Sequence, residues 1–130
     1  MSKGILIVED EIILAMDLKY LLQDLGYEVE GFAFSGHDAI LQARDKAPAL
    51  VLVDIKLHGY MDGIEAARYI KEHLGIPIVF ITGNTDEATR TRALSVVSPE
   101  GYLEKPVNLQ RLQSTIKDAL ERAGGTAEPH

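Results

Sequence analysis

The sequence predicts a doubly wound α/β domain: a five-stranded parallel sheet with helices on both faces. Two observations carry that prediction. Short apolar, β-branched runs alternate with segments of helical period along the whole chain, the signature of βαβ units. Four of those runs end in acidic, hydroxyl or basic residues: Glu9 and Asp10 after Ile5-Leu6-Ile7-Val8, Asp54 after Val51-Leu52-Val53, Thr82 after Val79-Phe80-Ile81, and Lys105 after Tyr102-Leu103-Glu104. The carboxyl ends of parallel strands are where open α/β sheets bind ligands.

Taken in order, residues 4–9 read as the first strand. Leu14, Leu18, Leu21, Leu22 and Leu25 then form a helical stripe that stops at Gly26. Residues 28–34 make a second strand, and Ser35 caps a helix that runs to Lys46 and ends before Pro48. The third strand spans residues 50–54. Asp62 and Glu65 form a capping box for a helix with Ile64, Ala67, Ile70 and Leu74 on its apolar face, closed by Gly75 and Pro77. After a strand over 78–82, residues 86–97 are helical in composition with a thin apolar face of Ala88, Ala93, Leu94 and Val97, which predicts a loosely held helix. The fifth strand covers 101–104, and Asn108 caps a last helix with Leu109, Leu112, Ile116 and Leu120 facing inward. Residues 1–123 therefore form one domain, and 124–130 a flexible tail. Right-handed crossovers give the flavodoxin-like strand order 2-1-3-4-5.

A chain of 130 residues suits a single domain with a proper core. Its 13 basic and 20 acidic residues give a net charge of -7, which argues against a broad nucleic-acid surface. Without cysteine there is neither a disulfide framework nor a thiolate metal site. The apolar runs are strand-length and no signal-peptide pattern opens the chain, so a soluble cytoplasmic protein without membrane contact is expected.

Gathered at one sheet edge, Glu9, Asp10, Asp54, Thr82 and Lys105 suit a divalent cation and a phosphoryl group. Carboxylate oxygens are hard ligands for Mg²⁺, and a lysine and a hydroxyl donate to phosphate oxygens. Without metal such a cluster repels itself: two carboxylates about 4 Å apart cost roughly 4 kcal/mol at an effective dielectric of about 20. At least one should then have a raised pKa.

These residues lie in an ordered set of motifs: Ile7-Val8-Glu9-Asp10-Glu11, Leu52-Val53-Asp54-Ile55, Met61-Asp62-Gly63-Ile64-Glu65-Ala66-Ala67, Phe80-Ile81-Thr82-Gly83 and Tyr102-Leu103-Glu104-Lys105-Pro106. From Lys3 to about Ala123 the chain resembles the CheY-like receiver domain of two-component response regulators. The resemblance implies that Asp54 accepts a phosphoryl group from a histidine kinase or a histidine phosphotransfer protein. It also implies that Asp10 and Asp54 bind Mg²⁺ directly, with Glu9 acting mainly through water and the Lys56 carbonyl as a third protein ligand. Lys105, set by a cis bond to Pro106, and Thr82 would contact the phosphoryl group. Tyr102 matches the aromatic switch position that follows Thr82, and the fourth-helix face would then change shape toward an effector protein or, as is frequent in the family, a second phosphorylated copy. Such a domain catalyses only its own phosphotransfer and dephosphorylation.

Each residue also has a plainer reading. An aspartate can cap a strand end, acids near a helix N-terminus explain Glu11 well, a lysine can precede a helix-starting proline, and Thr and Tyr are good strand residues. The co-occurrence of the whole set favours the functional reading. The same completeness argues against a phosphorylation-independent scaffold. An aspartyl-phosphate hydrolase would want an acid two residues past the nucleophile, where Lys56 stands. No DNA-binding segment follows residue 123, so the expected output is protein–protein interaction, a phosphorelay step or a domain outside this chain.

The loop after Asp54 departs from the common pattern. His58 stands where many receivers carry proline, and Gly63 lies nine residues after Asp54 instead of eight, a one-residue insertion that loops absorb cheaply. The Asp-Gly-Ile-Glu-Ala-Ala run behind it resembles a subset of receivers with this longer loop. Lys56 and Asn84 flank the expected route of a water attacking the acyl phosphate, positions suited to setting the phosphorylated lifetime. His58 reads as a solvated loop histidine, because Mg²⁺ prefers oxygen.

Overall fold

In the computed structural model, which describes residues 4–83 and 86–125, five parallel strands alternate with five helices. The strands are β1 (Ile5–Val8), β2 (Val29–Ala33), β3 (Leu50–Asp54), β4 (Ile78–Thr82) and β5 (Gly101–Glu104), in the order β2-β1-β3-β4-β5. The helices are α1 (Ile12–Asp24), α2 (Gly36–Lys46), α3 (Gly63–Tyr69), α4 (Glu87–Val97) and α5 (Leu109–Gly125). The fold class and strand order are those the sequence predicts. The final helix runs through Gly125, and residues 126–130 lie outside the described part.

Every residue of β1, β3 and β4 is buried, as expected of strands covered on both faces. The two-residue period sorts them between two cores. Leu6, Val8, Val51, Val53 and Phe80 meet Ala39, Ala43, Ile64, Ala67, Ala93 and Val97 from α2, α3 and α4, and Ile70 just past the end of α3. Ile5, Ile7, Leu50, Leu52 and Ile81 meet Ala15, Leu18, Leu22, Leu112 and Ile116 from α1 and α5. Each fully buried Leu, Ile or Phe contributes on the order of 2 kcal/mol, so the centre of the sheet is a stiff base for whatever its ends carry.

The local signals hold. Ser35 accepts from the Asp38 amide at 3.1 Å, Asn108 from the Arg111 amide at 2.8 Å, and both bonds of the Asp62–Glu65 capping box form, at 2.8 and 3.1 Å. Three sequence expectations need correction. In α4 only Ala93 and Val97 are buried, while Ala88 and Leu94 face outward, so the apolar face is thinner than predicted. Leu109 at the start of α5 is exposed, because the first turn projects past the sheet before Leu112 and Ile116 reach it. Beyond Tyr69, α3 widens into a π turn over Ile70–Leu74, which ends at Gly75 with φ of +68°.

With so little buried, α4 is tied by charge. Arg92 pairs with Asp62 at 2.9 Å, Arg90 lies 3.7 Å from Glu104, and the Arg90 guanidinium sits 5.2 Å over the Tyr102 ring.

Candidate functional site at the carboxyl end of the sheet

Backbone hydrogen bonds that continue past the strand ends pin the site residues in register. The Glu9 amide donates to Ala33 O at 3.0 Å, the Ile55 amide to Ile81 O at 3.3 Å, and the Lys105 amide to Thr82 O at 2.7 Å. Side chains from three strand ends, those of β1, β3 and β5, are thereby brought together across almost a hundred residues of chain. Lys105 Nζ donates to Glu9 Oε1 and to Asp54 Oδ2, each at 3.0 Å. The Lys56 amide donates to Asp54 Oδ1 at 3.0 Å, and the Glu11 amide to Glu9 Oε2 at 3.1 Å. The Lys105–Pro106 bond is cis, as the motif implies.

Glu9, Asp10 and Asp54 each offer one carboxylate oxygen, and these oxygens lie within 4.8 Å of one another. Three hard oxygen donors in that space fit a small divalent cation. The Thr82 hydroxyl is buried and has no hydrogen-bond partner among the described residues. An unsatisfied buried hydroxyl is costly and invites an acceptor. The polar cavity above this group, about 440 Å³, is lined by Asp10, Asp54, Lys56, His58, Gly83 and Lys105 among others. A larger cavity of about 650 Å³ between α1 and the turn at Pro106 and Val107 shares Leu14 and Lys105 with the first and is lined mainly by apolar side chains.

The cluster's electrostatics are uneven. Glu9 is wholly buried, and burial first, then the hydrogen bonding and charge of Asp54, push its carboxyl up to about 7 against the opposing pull of the Glu11 amide and Lys105. Burial would lower Lys105, but its hydrogen bonds to Asp54 and Glu9 outweigh that and hold it above the usual lysine range. Burial would likewise raise Asp10, yet the amide and ring of His58 together hold it below the usual carboxylate range.

Glu9 makes the metal-free domain lose stability as pH rises, the reverse of an ordinary paired carboxylate. Below pH 4.5 the carboxyl is protonated in both states; between 4.5 and about 7 the unfolded chain releases the proton while the folded one retains it. Unfolding free energy in the presence of chelator is expected to fall by about 3 kcal/mol across that window and then level off. Glu9→Gln should flatten the profile, and parallel urea-unfolding profiles for the two proteins would refute the assignment.

Glu9, Asp10, Asp54 and Lys105 thus come together, Thr82 stands at the end of β4 with its backbone oxygen on the Lys105 amide, and Lys56 lines the cavity. Asn84 lies outside the described residues. Tyr102 is half-buried, its ring edge-on to Phe80 with centroids 6.4 Å apart. The residue that sequence reasoning undervalued is His58: its amide donates to Asp10 Oδ2 at 3.0 Å and its ring Nδ1 touches the same oxygen. The ring is otherwise solvated, as expected. Forty-eight residues separate the pair, and the one available signal was that His58 sits in the anomalous loop.

Comparison with known proteins agrees with this geometry. A family model described as the response regulator receiver domain matches residues 5–117. The transcriptional regulatory protein ZraR of Salmonella typhimurium is 39% identical over 117 residues, 89% of this chain and 26% of that protein. PdtaR of Mycobacterium tuberculosis is 36% identical over 122 residues, 92% of this chain and 58% of that protein. The chain therefore spans between about a quarter and three-fifths of the length of these curated relatives. Among solved structures, the signal receiver domain of a modulated diguanylate cyclase from Desulfovibrio desulfuricans G20 superposes with a TM-score of 0.89 at 40% identity, covering 95% of this chain and 98% of that one. A CheY-like receiver domain from Methanospirillum hungatei JF-1 gives 0.84 at 29% identity, with 97% and 99% covered.

Proposed function

The chain belongs to the response regulator receiver domain family of two-component systems, and from that premise we propose that it is a switch set by phosphorylation of Asp54. The observation that carries the reading is the arrangement around Asp54: one carboxylate held by Lys105 and the Lys56 amide, beside two further acids and an unsatisfied buried hydroxyl.

In this reading a carboxylate oxygen of Asp54 attacks phosphorus. The new bond is an acyl phosphate, and the bond from phosphorus to the donor's imidazole nitrogen breaks, leaving the histidine of a kinase or phosphotransfer protein. Asp10, Asp54 and the Lys56 carbonyl would hold Mg²⁺, with Glu9 acting mainly through water, and the ion would offset the repulsion between the carboxylate and the incoming phosphoryl oxygens. Lys105 exchanges part of its pairing with Asp54 for the new anion. Thr82 donates its hydroxyl to a phosphoryl oxygen, and the absence of a side chain at Gly83 leaves the entrance open. The phosphorylated side chain carries about -1.5 to -2 of charge where the carboxylate carried -1, spread over three phosphoryl oxygens, and the readout is a rearrangement of Thr82, Tyr102 and the weakly seated α4. The altered α4–β5–α5 face then engages an effector protein or a second copy, in the cytoplasm. Among the described residues no helix is long and apolar enough to cross a membrane.

Incubation with a small acyl phosphate and Mg²⁺ tests this. Intact mass is expected to rise by one phosphoryl group, and hydroxylamine trapping followed by fragment mass spectrometry should place the label on Asp54. A label on any other residue, or none, would overturn the proposal.

A further inference from the structure

The contact between His58 and Asp10 lies outside the set of residues assigned above. His58 reaches Asp10 twice, through its backbone amide at 3.0 Å and through ring Nδ1, and both interactions fall on Oδ2. Two donors on one carboxylate oxygen occupy both of its in-plane lone pairs. The two side chains differ sharply in freedom: the Asp10 side chain is 12% exposed, whereas that of His58 is 94% exposed. Among the described residues nothing packs the ring in place, so it swings away without uncovering apolar surface, while Asp10 stays fixed at the end of β1.

Resting on the reading of Asp10 as a cation ligand, we propose that His58 is a positioning residue that covers Asp10 and competes with the divalent cation for it. The longer loop after Asp54 delivers the imidazole to this oxygen. Mg²⁺ prefers oxygen donors, so the ring does not become a ligand; it is displaced toward solvent as the carboxylate turns to the metal. The effect is opposite to that of a supporting ligand: the ring weakens cation binding, and its removal strengthens it. His58→Ala deletes only the ring and leaves the backbone amide that keeps Asp10 oriented.

Calorimetric titration of the metal-free full chain with MgCl₂ tests the proposal on wild type, His58→Ala and Asp10→Asn, with circular dichroism as the control for folding. His58→Ala is expected to bind about two- to tenfold more tightly, the range spanned by one exchanged hydrogen bond. In wild type, the His58 ring resonances should move on saturation with Mg²⁺ to those of a solvated imidazole. Equal or weaker affinity in His58→Ala, or ring resonances that do not move, would overturn it. So would a selective loss of Mn²⁺ affinity in His58→Ala, which would mark the ring as a nitrogen donor. Asp10→Asn separates the two levels: undiminished Mg²⁺ binding in that variant removes the cation site itself, whereas abolished binding there with an unaltered His58→Ala removes only the role of His58.

Discussion

Asp54→Asn is expected to abolish phosphoryl uptake while leaving the domain folded. The amide has the shape of the carboxylate, so the Lys56 amide, now 3.0 Å from Asp54 Oδ1, still finds an acceptor there, and Lys105 keeps Glu9. What disappears is the anionic oxygen, and a neutral amide is a poor nucleophile toward phosphorus. Stability should change little in either direction. The substitution removes one partner of Lys105, but it also removes a charge that repels Glu9. Intact-mass comparison beside wild type, with thermal unfolding in parallel, checks both halves. Equal labelling of the two proteins would take Asp54 out of the centre of the mechanism.

Gly63→Val should have the largest effect on stability, at least about 3 kcal/mol, visible as a lower urea midpoint and weak expression. A Cβ at Gly63 would lie 2.1 Å from the backbone oxygen of Asp54 and 2.9 Å from Ile55 Cα. Both are main-chain atoms and cannot rotate aside as a flexible side chain would. Here α3 begins in direct contact with the end of β3, and the Gly63 amide donates to Ile55 O at 3.0 Å. A side chain at this point separates α3 from the strand and shifts Asp54 with it, so phosphoryl uptake should fall together with stability. Retention of the wild-type midpoint would show that the close approach relaxes easily.

The legible parts of this molecule are those in which a short stretch of sequence fixes its own outcome. Asp62 and Glu65 cap α3 whatever else the chain does, and the apolar runs of β1, β3 and β4 have one stable location, the middle of a covered sheet. Asp54, Thr82 and Lys105 were findable because strand-end position follows from those runs. Less visible was anything set by distant geometry. Whether Leu94 and Leu109 face the core depends on where each helix meets the sheet, not on helical period alone. The π turn after Tyr69 has no distinct composition. That Glu9 is wholly buried while the neighbouring Asp10 is not comes from the alternation of sides at the strand's end, together with the closure of Lys105 over Glu9.

Asp62 has a wider consequence than capping. It precedes Gly63, which rests on the backbone of Asp54, and its second oxygen holds Arg92 of α4. Helix α4 therefore has two mechanical linkages to the neighbourhood of Asp54, arranged in parallel. One runs along β4 and β5 through Thr82, its register partner Glu104 and Arg90, and the other through the loop, Gly63, Asp62 and Arg92. A parallel arrangement tolerates damage: cutting either linkage leaves α4 attached by the other, and a displacement at the loop reaches the same helix as a displacement at Thr82.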